Sequence, residues 1–139
     1  MLKFYQKPEF LNGFKKLIKE CDKIILDIYK KDFKVEYKDD KSPLTIADQL
    51  SNKHICDYLN RLNKSLEDEV REQFVIISEE NKNADYEYRK LYNYCWLVDP
   101  IDGTKEFVKK NGQFTVNIGL TYKNDPIFGI VSIPTKDEI

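Results

Sequence analysis

The chain has a single histidine, His54, and its three cysteines, Cys21, Cys56 and Cys95, lie far apart with no C-x-x-C spacing. A His-based triad and a Cys/His zinc site therefore have little to be built from. An odd, sparse cysteine set reads as reduced thiols rather than a disulfide frame. The opening Met1-Leu2-Lys3-Phe4-Tyr5-Gln6-Lys7-Pro8 carries no apolar export signal, so the expected compartment is the cytoplasm. Five Gly and five Pro in 139 residues exclude collagen-like and low-complexity classes. No apolar run approaches the ~18 residues of a membrane helix. An excess of one charge is also missing: 23 Lys and Arg face 24 Asp and Glu, for a net charge of −1. Such a balance gives no global field toward a nucleic-acid polymer or an anionic lipid surface, so an anionic small molecule has to be attracted locally.

What is present is a chain rich in aromatics, with nine Tyr and eight Phe, and long enough for one domain with a real core. Phe10, Phe14, Leu17, Ile18, Cys21, Ile24, Ile25 and Ile28 recur at helical spacing and predict an amphipathic helix of about five turns. A charged stretch, 30–41, reads as a loop with a short extended piece at 33–37. A second helix is expected to use Ile46, Leu50, Ile55, Leu59 and Leu62 as its apolar stripe, with Pro43 in its first turn and Thr45 as N-cap. Residues 63–73 read as a charged linker and 81–93 as a surface loop. Strands are predicted at 74–77, at 94–98 where Asp99-Pro100 cuts the pairing, and as a hairpin over 114–133. The fold class is α+β: helices packed in a layer on a mostly antiparallel sheet. No helix follows the hairpin to cover the second sheet face, which suggests part of a longer protein.

Acidic residues follow the apolar strands. Glu79 and Glu80 close the first; Asp99 and Asp102 close the second, within Asp99-Pro100-Ile101-Asp102-Gly103-Thr104. Carboxylates at neighbouring strand ends converge on one rim of a sheet. Their mutual repulsion calls for a neutraliser, and a hard divalent cation with oxygen ligands is the economical one. In the hexapeptide, Pro100 sets a turn that aims the Ile101 carbonyl inward as a neutral oxygen donor, and Asp102 returns on the same side. Gly103 leaves room for a close ligand, the Gly103 and Thr104 N–H groups suit a phosphate oxygen, and the Thr104 hydroxyl suits a water. Each segment also has a structural reading. Asp-Pro-x-Asp-Gly makes an ordinary turn, and Glu79-Glu80 makes a solvated strand end. Thr45-Ile46-Ala47-Asp48 makes a capping box, and the lysine clusters make solvated faces. His54 and the cysteines read as packing or surface residues, and Asn117 as edge polarity.

Together, Lys41-Ser42-Pro43-Leu44-Thr45-Ile46-Ala47-Asp48, Ile77-Ser78-Glu79-Glu80 and Trp96-Leu97-Val98-Asp99-Pro100-Ile101-Asp102-Gly103-Thr104 resemble the inositol monophosphatase superfamily of Mg²⁺-dependent, lithium-sensitive phosphomonoesterases. The likeness runs from Phe10 to Pro134. Within that superfamily, Thr104-Lys105-Glu106-Phe107 and Asn111-Gly112-Gln113-Phe114-Thr115-Val116-Asn117-Ile118 resemble 3′(2′),5′-bisphosphate nucleotidases of sulfur metabolism; inositol monophosphatases more often carry Asn where Glu106 stands. The resemblance implies a layered sugar-phosphatase-like fold, whose second αβ domain would lie beyond Ile139 with a further Asp ligand and much of the nucleotide pocket. It implies metal ligands at Glu79, Asp99, the Ile101 carbonyl and Asp102 for two or three Mg²⁺ ions, with Mn²⁺ as substitute. It implies substrate contacts at Glu79, Ile101, Asp102, Gly103 and Thr104, and water activation by Asp48 and Thr104 with Glu80 nearby. The implied partner is a phosphorylated nucleotide, adenosine 3′,5′-bisphosphate, cleaved to AMP, with a homodimer left open. The rival expectations are an inositol or other sugar phosphatase, and a binding fragment that turns nothing over.

Overall fold

The computed structural model describes residues 1–41, 43–82 and 84–139; Ser42 of the motif above and Asn83 of the expected surface loop lie outside the described residues. A 3₁₀ turn, Phe4–Gln6, precedes α1, Pro8–Tyr29. Pro8 opens α1 at a position where its missing N–H costs nothing. The four-residue recurrence of Phe10, Phe14, Ile18 and Asp22, with Leu17, Cys21 and Ile25 beside them, forms its buried stripe. A small antiparallel hairpin follows, β1 (Val35–Tyr37) against β2 (Pro43–Thr45). Pro43 is therefore a strand residue rather than a first-turn residue.

Helix α2 spans Ile46–Val70 and starts on a reciprocal cap between Thr45 and Asp48. It absorbs most of the expected linker, and its buried face matches the expected stripe only from Ile55 on: Ile55 and Leu59 are buried and Leu62 packs against the core. Ile46 and Leu50 are exposed, and the face toward the core carries Ala47, Asp48, Ser51, Asn52, Ile55, Leu59, Asn63 and Leu66. Four of those eight residues are polar, which hides the stripe from a count of apolar positions. The helix stops at Arg71, a left-handed residue at φ 62°.

The main sheet has four strands in sequence order: β3 (Phe74–Ser78), β4 (Tyr94–Asp102), β5 (Thr115–Tyr122) and β6 (Asp125–Ser132). The first pair is parallel and the other two antiparallel. A short helix, α3 (Tyr86–Arg89), sits in the β3–β4 crossover, and α4 (Thr104–Val108) follows β4. Strand β4 outruns its expected end at Val98: pairing continues to Asp99↔Asn117, breaks, and resumes at Asp102↔Thr115. Pro100 falls in that break, where a ladder N–H is not needed. The β5–β6 turn uses Lys123 and Asn124, both at positive φ, which matches the twist of the hairpin.

The core lies between the helices and one sheet face. Trp96 and Phe14, both fully buried, meet at 5.4 Å between ring centroids, and Phe128 packs on Phe14 at 4.8 Å. The opposite face leaves Leu97 and Val131 exposed. Among the described residues no helix is long and apolar enough to cross a membrane.

Candidate active site

The site forms where the N-terminus of α2, the end of β3 and the β4–α4 turn meet. Each piece has a local reason for its place. Thr45 ends β2 in extended backbone and caps α2, so the α2 start is pinned beside the hairpin. The Thr45 N–H and hydroxyl both donate to Asp48 Oδ2, at 2.8 and 2.6 Å. That leaves Asp48 Oδ1 to accept from the Thr104 hydroxyl at 2.9 Å, 56 residues along the chain. Asp48 is fully buried. One carboxylate oxygen of Asp48 thus serves the helix cap while the other holds Thr104.

Thr104 opens α4. Before it, Gly103 takes φ 94°, and a Cβ there would stand 2.9 Å from the Gln113 carbonyl oxygen, so only glycine fits the turn. The Thr104 hydroxyl also lies 3.3 Å from the Ile101 carbonyl oxygen. A cavity of about 350 Å³ opens beside this turn. Its lining includes Glu79, Glu80, Asp99, Ile101, Asp102, Gly103 and Thr104, together with Lys38, Asp40, Pro43, Lys105 and Glu106. Every residue expected at the site lines this one cavity except Asp48, which stands behind Thr104.

The charge is strongly one-sided, with six carboxylates against two lysines on the lining. Burial first, and then the neighbouring Asp102, Glu79, Glu80 and Asp48, push the Asp99 carboxyl up to about 6. Burial also raises Glu80, against the opposing pull of Lys38, whose Nζ donates to Glu80 Oε1 at 2.9 Å. Burial draws Lys38 down, but its hydrogen bond and ion pair with Glu80 outweigh this, and its pKa stands above the usual lysine value. Lys38 is thus part of the site rather than a solvated face. Asn117, which the sequence offers as edge polarity, also reaches the site: its side-chain amide donates to Asp102 Oδ2 at 3.3 Å across the β4–β5 break.

Glu79 and Glu80 are anchored from below. The Ser78 hydroxyl donates to Asn52 Oδ1 on α2, Asn52 Nδ2 donates to Asn81 Oδ1 at 2.8 Å, and the Glu80 N–H reaches Ser78 Oγ at 3.3 Å. This polar row explains why α2 buries Asn52.

Among the described residues, no three His, Cys, Asp or Glu side chains are gathered tightly enough to hold a metal ion as they stand. The carboxylates ring the cavity instead of closing on one point, as like charges repel. The donor set itself suits a hard divalent cation: carboxylate oxygens and a carbonyl oxygen, with neither sulfur nor imidazole on the lining. The His54 side chain instead lies 2.8 Å from Glu20, and His54, Cys21, Cys56 and Cys95 are all absent from the cavity lining.

The Inositol monophosphatase family profile matches residues 6–139. The chain is 38% identical over 131 residues to the 3′(2′),5′-bisphosphate nucleotidase CysQ of Buchnera aphidicola subsp. Acyrthosiphon pisum, covering 93% of this chain and 46% of that protein. The CysQ of Escherichia coli strain K12 is 38% identical over 123 residues, with 87% and 46% covered. The crystal structure of CysQ from Bacteroides thetaiotaomicron, a bacterial member of the inositol monophosphatase family, superposes with a TM-score of 0.69 at 36% identity, covering 91% of this chain and 43% of that one. The chain therefore spans about half the length of the curated relatives it matches. With the profile running through almost every residue and the acidic motifs lining one cavity, the chain belongs to the inositol monophosphatase family.

Proposed function

We propose that this chain carries the metal- and phosphate-binding half of a 3′(2′),5′-bisphosphate nucleotidase, which hydrolyses the 3′-phosphate of adenosine 3′,5′-bisphosphate to give AMP and phosphate. The observation that carries the reading is the 2.9 Å hydrogen bond from the Thr104 hydroxyl to Asp48, in a turn whose cavity is also lined by Glu79, Asp99 and Asp102. Glu79, Asp99, Asp102 and the Ile101 carbonyl would hold Mg²⁺. Bound there, the cation supplies Lewis-acid activation of water and neutralises charge on the phosphate.

The chain's own residues supply position and proton handling. Because the Thr104 O–H is spent on Asp48, the lone pairs of Thr104 Oγ1 remain for a water O–H. As water oxygen attacks phosphorus, the proton it loses passes to Thr104 Oγ1 while the Thr104 proton moves to Asp48 Oδ1. The phosphorus–oxygen ester bond breaks, the 3′-oxygen leaves and takes a proton from a solvent water, and Asp48 returns its proton to solvent. The Gly103 and Thr104 N–H groups, with no side chain on Gly103 to block approach, suit the phosphate oxygens. Glu106 and the similarity to CysQ nucleotidases favour a nucleotide over an inositol phosphate.

Phosphate release from adenosine 3′,5′-bisphosphate and from inositol 1-phosphate, measured with Mg²⁺, tests this. Nucleotide hydrolysis is expected to be preferred, and Asp48→Asn to lower it by about a hundredfold or more. Faster release from inositol 1-phosphate would replace the nucleotide with a sugar phosphate. A second reading draws on the chain covering 46% of its CysQ relatives: metal and phosphate binding without turnover. Retained Mg²⁺ binding with no phosphate release from either substrate selects that reading.

A further inference from the structure

The Lys38–Glu80 pair differs from the ion pairs that decorate the helices. Lys23–Asp27 and Lys53–Asp57 join residues one turn apart with both side chains at least half exposed or nearly so. Lys38 reaches a carboxylate 42 residues away that is only 7% exposed, inside the acidic cavity. The ammonium arrives from a light structure. Lys38 directly follows β1, its carbonyl accepts the Lys41 N–H at 2.8 Å, and β1 and β2 share three residue pairs among the described residues, in a sheet separate from the main one. A buried carboxylate beside other carboxylates needs a countercharge, and the lysine supplies one positive charge on a stem that can turn away without moving the backbone.

We propose that Lys38 is a tethered countercation: it holds Glu80 until a divalent ion takes over the carboxylates, and the displaced ammonium then binds the phosphate. This rests on the metal-and-phosphate reading of the cavity given above. Two consequences follow from charge alone. A fixed positive charge in the cavity opposes entry of a second cation, so its removal tightens divalent binding. Once the ion is in, the freed ammonium is a phosphate ligand, so metal and phosphate strengthen each other's binding by the same factor. Lys105, the other lysine on the lining, follows Thr104 on α4 and stays with the turn rather than with the hairpin.

Calorimetric titration of the full chain with Mn²⁺, and with inorganic phosphate at saturating Mn²⁺, decides the matter. The variants are Lys38→Met, Lys38→Gln and Lys38→Arg, each checked by circular dichroism. Lys38→Met and Lys38→Gln, which lose the charge by different chemistry, are expected to bind Mn²⁺ about fivefold more tightly and phosphate about tenfold more weakly. Lys38→Arg keeps the charge and is expected to stay within about twofold of wild type for Mn²⁺. Unchanged or weaker Mn²⁺ binding in the two neutral variants overturns the proposal, as does unchanged phosphate binding. Wild type that binds no Mn²⁺ at any concentration removes the metal reading of the whole site. Wild type that binds Mn²⁺ with no effect of Lys38 removes this inference alone.

Discussion

In the proposed metal site, a proton and a divalent cation would compete for the oxygens of Asp99. Its carboxyl is pushed up to about 6 by burial and by Asp102, Glu79, Glu80 and Asp48, in that order. The sign is fixed by the raised value: above it the carboxylate is free for a cation, and below it a proton must leave first. Divalent affinity is therefore expected to be flat from about pH 7 upward and to fall by about tenfold per unit once the pH drops below about 6. Mn²⁺ titrations at about pH 5 and about pH 7.5 measure this. Asp99→Asn should weaken binding at the higher pH and flatten the profile, and equal wild-type affinity at the two values would show that Asp99 is not a ligand. The acidic residues of the site were legible because each sits directly after an apolar strand or inside a compact turn motif. Lys38 and Asn117 were not, because their partners Glu80 and Asp102 lie 42 and 15 residues away. Local sequence around a lysine among lysines carries no trace of such a pairing.

Among the elements, α2 departs furthest from its sequence reading. Its second half looked like a charged linker, yet the helix runs to Val70, since Asn63 and Leu66 turn toward the core while Lys64, Asp68 and Glu69 face water. The Trp96 indole N–H, fully buried, donates to Asn63 Oδ1 at 2.8 Å. Asn63→Leu leaves that N–H without a partner in an apolar setting and is expected to cost about 1–3 kcal/mol. Chemical denaturation followed by tryptophan fluorescence measures it, and a loss below about 0.5 kcal/mol would show that the bond contributes little to holding α2 on the sheet. Helix α1 was read correctly over its length because its buried positions are nearly all apolar. In α2 half of the buried face is polar, so apolar periodicity found Ile55 and Leu59 but missed Asp48, Ser51, Asn52 and Asn63. The end of β4 was misjudged for a related reason: Pro100 stops a regular ladder, and the strand continues only because β5 accommodates a break in register there.

Across the whole molecule, α1 is tied to the last strand by a buried polar contact, Ser132 Oγ donating to Asp22 Oδ1 at 2.7 Å over 110 residues of sequence. Burial raises the Asp22 carboxyl, more than the Ser132 hydrogen bond lowers it. A folded-state pKa above the unfolded one means that the fold prefers the protonated acid. The stabilisation is complete below the unfolded value near 3.8 and is lost as the pH rises through the higher folded value. Asp22→Asn keeps an oxygen for Ser132 and removes the charge, so it is expected to be more stable than wild type at about pH 7, with the gap closing toward about pH 4. Thermal unfolding at the two pH values checks this, and a variant less stable than wild type at neutral pH would refute it. The outer face of the sheet, with Leu97 and Val131 exposed, makes no such tie among the described residues.

Amino-acid order was enough to place α1, the N-cap of α2, the main-sheet strands apart from the end of β4, the β5–β6 hairpin and the acidic turn, because propensity, periodicity and turn chemistry act over a few residues. It was also enough for the family, because that acidic turn and the two shorter motifs are local strings. Folding alone brought Thr104 to Asp48, Lys38 to Glu80 and Asn117 to Asp102, and chose which face of α2 is buried. Those outcomes depend on how helices and strands distant in sequence share one core and one patch of negative charge, and no short window of sequence holds that information.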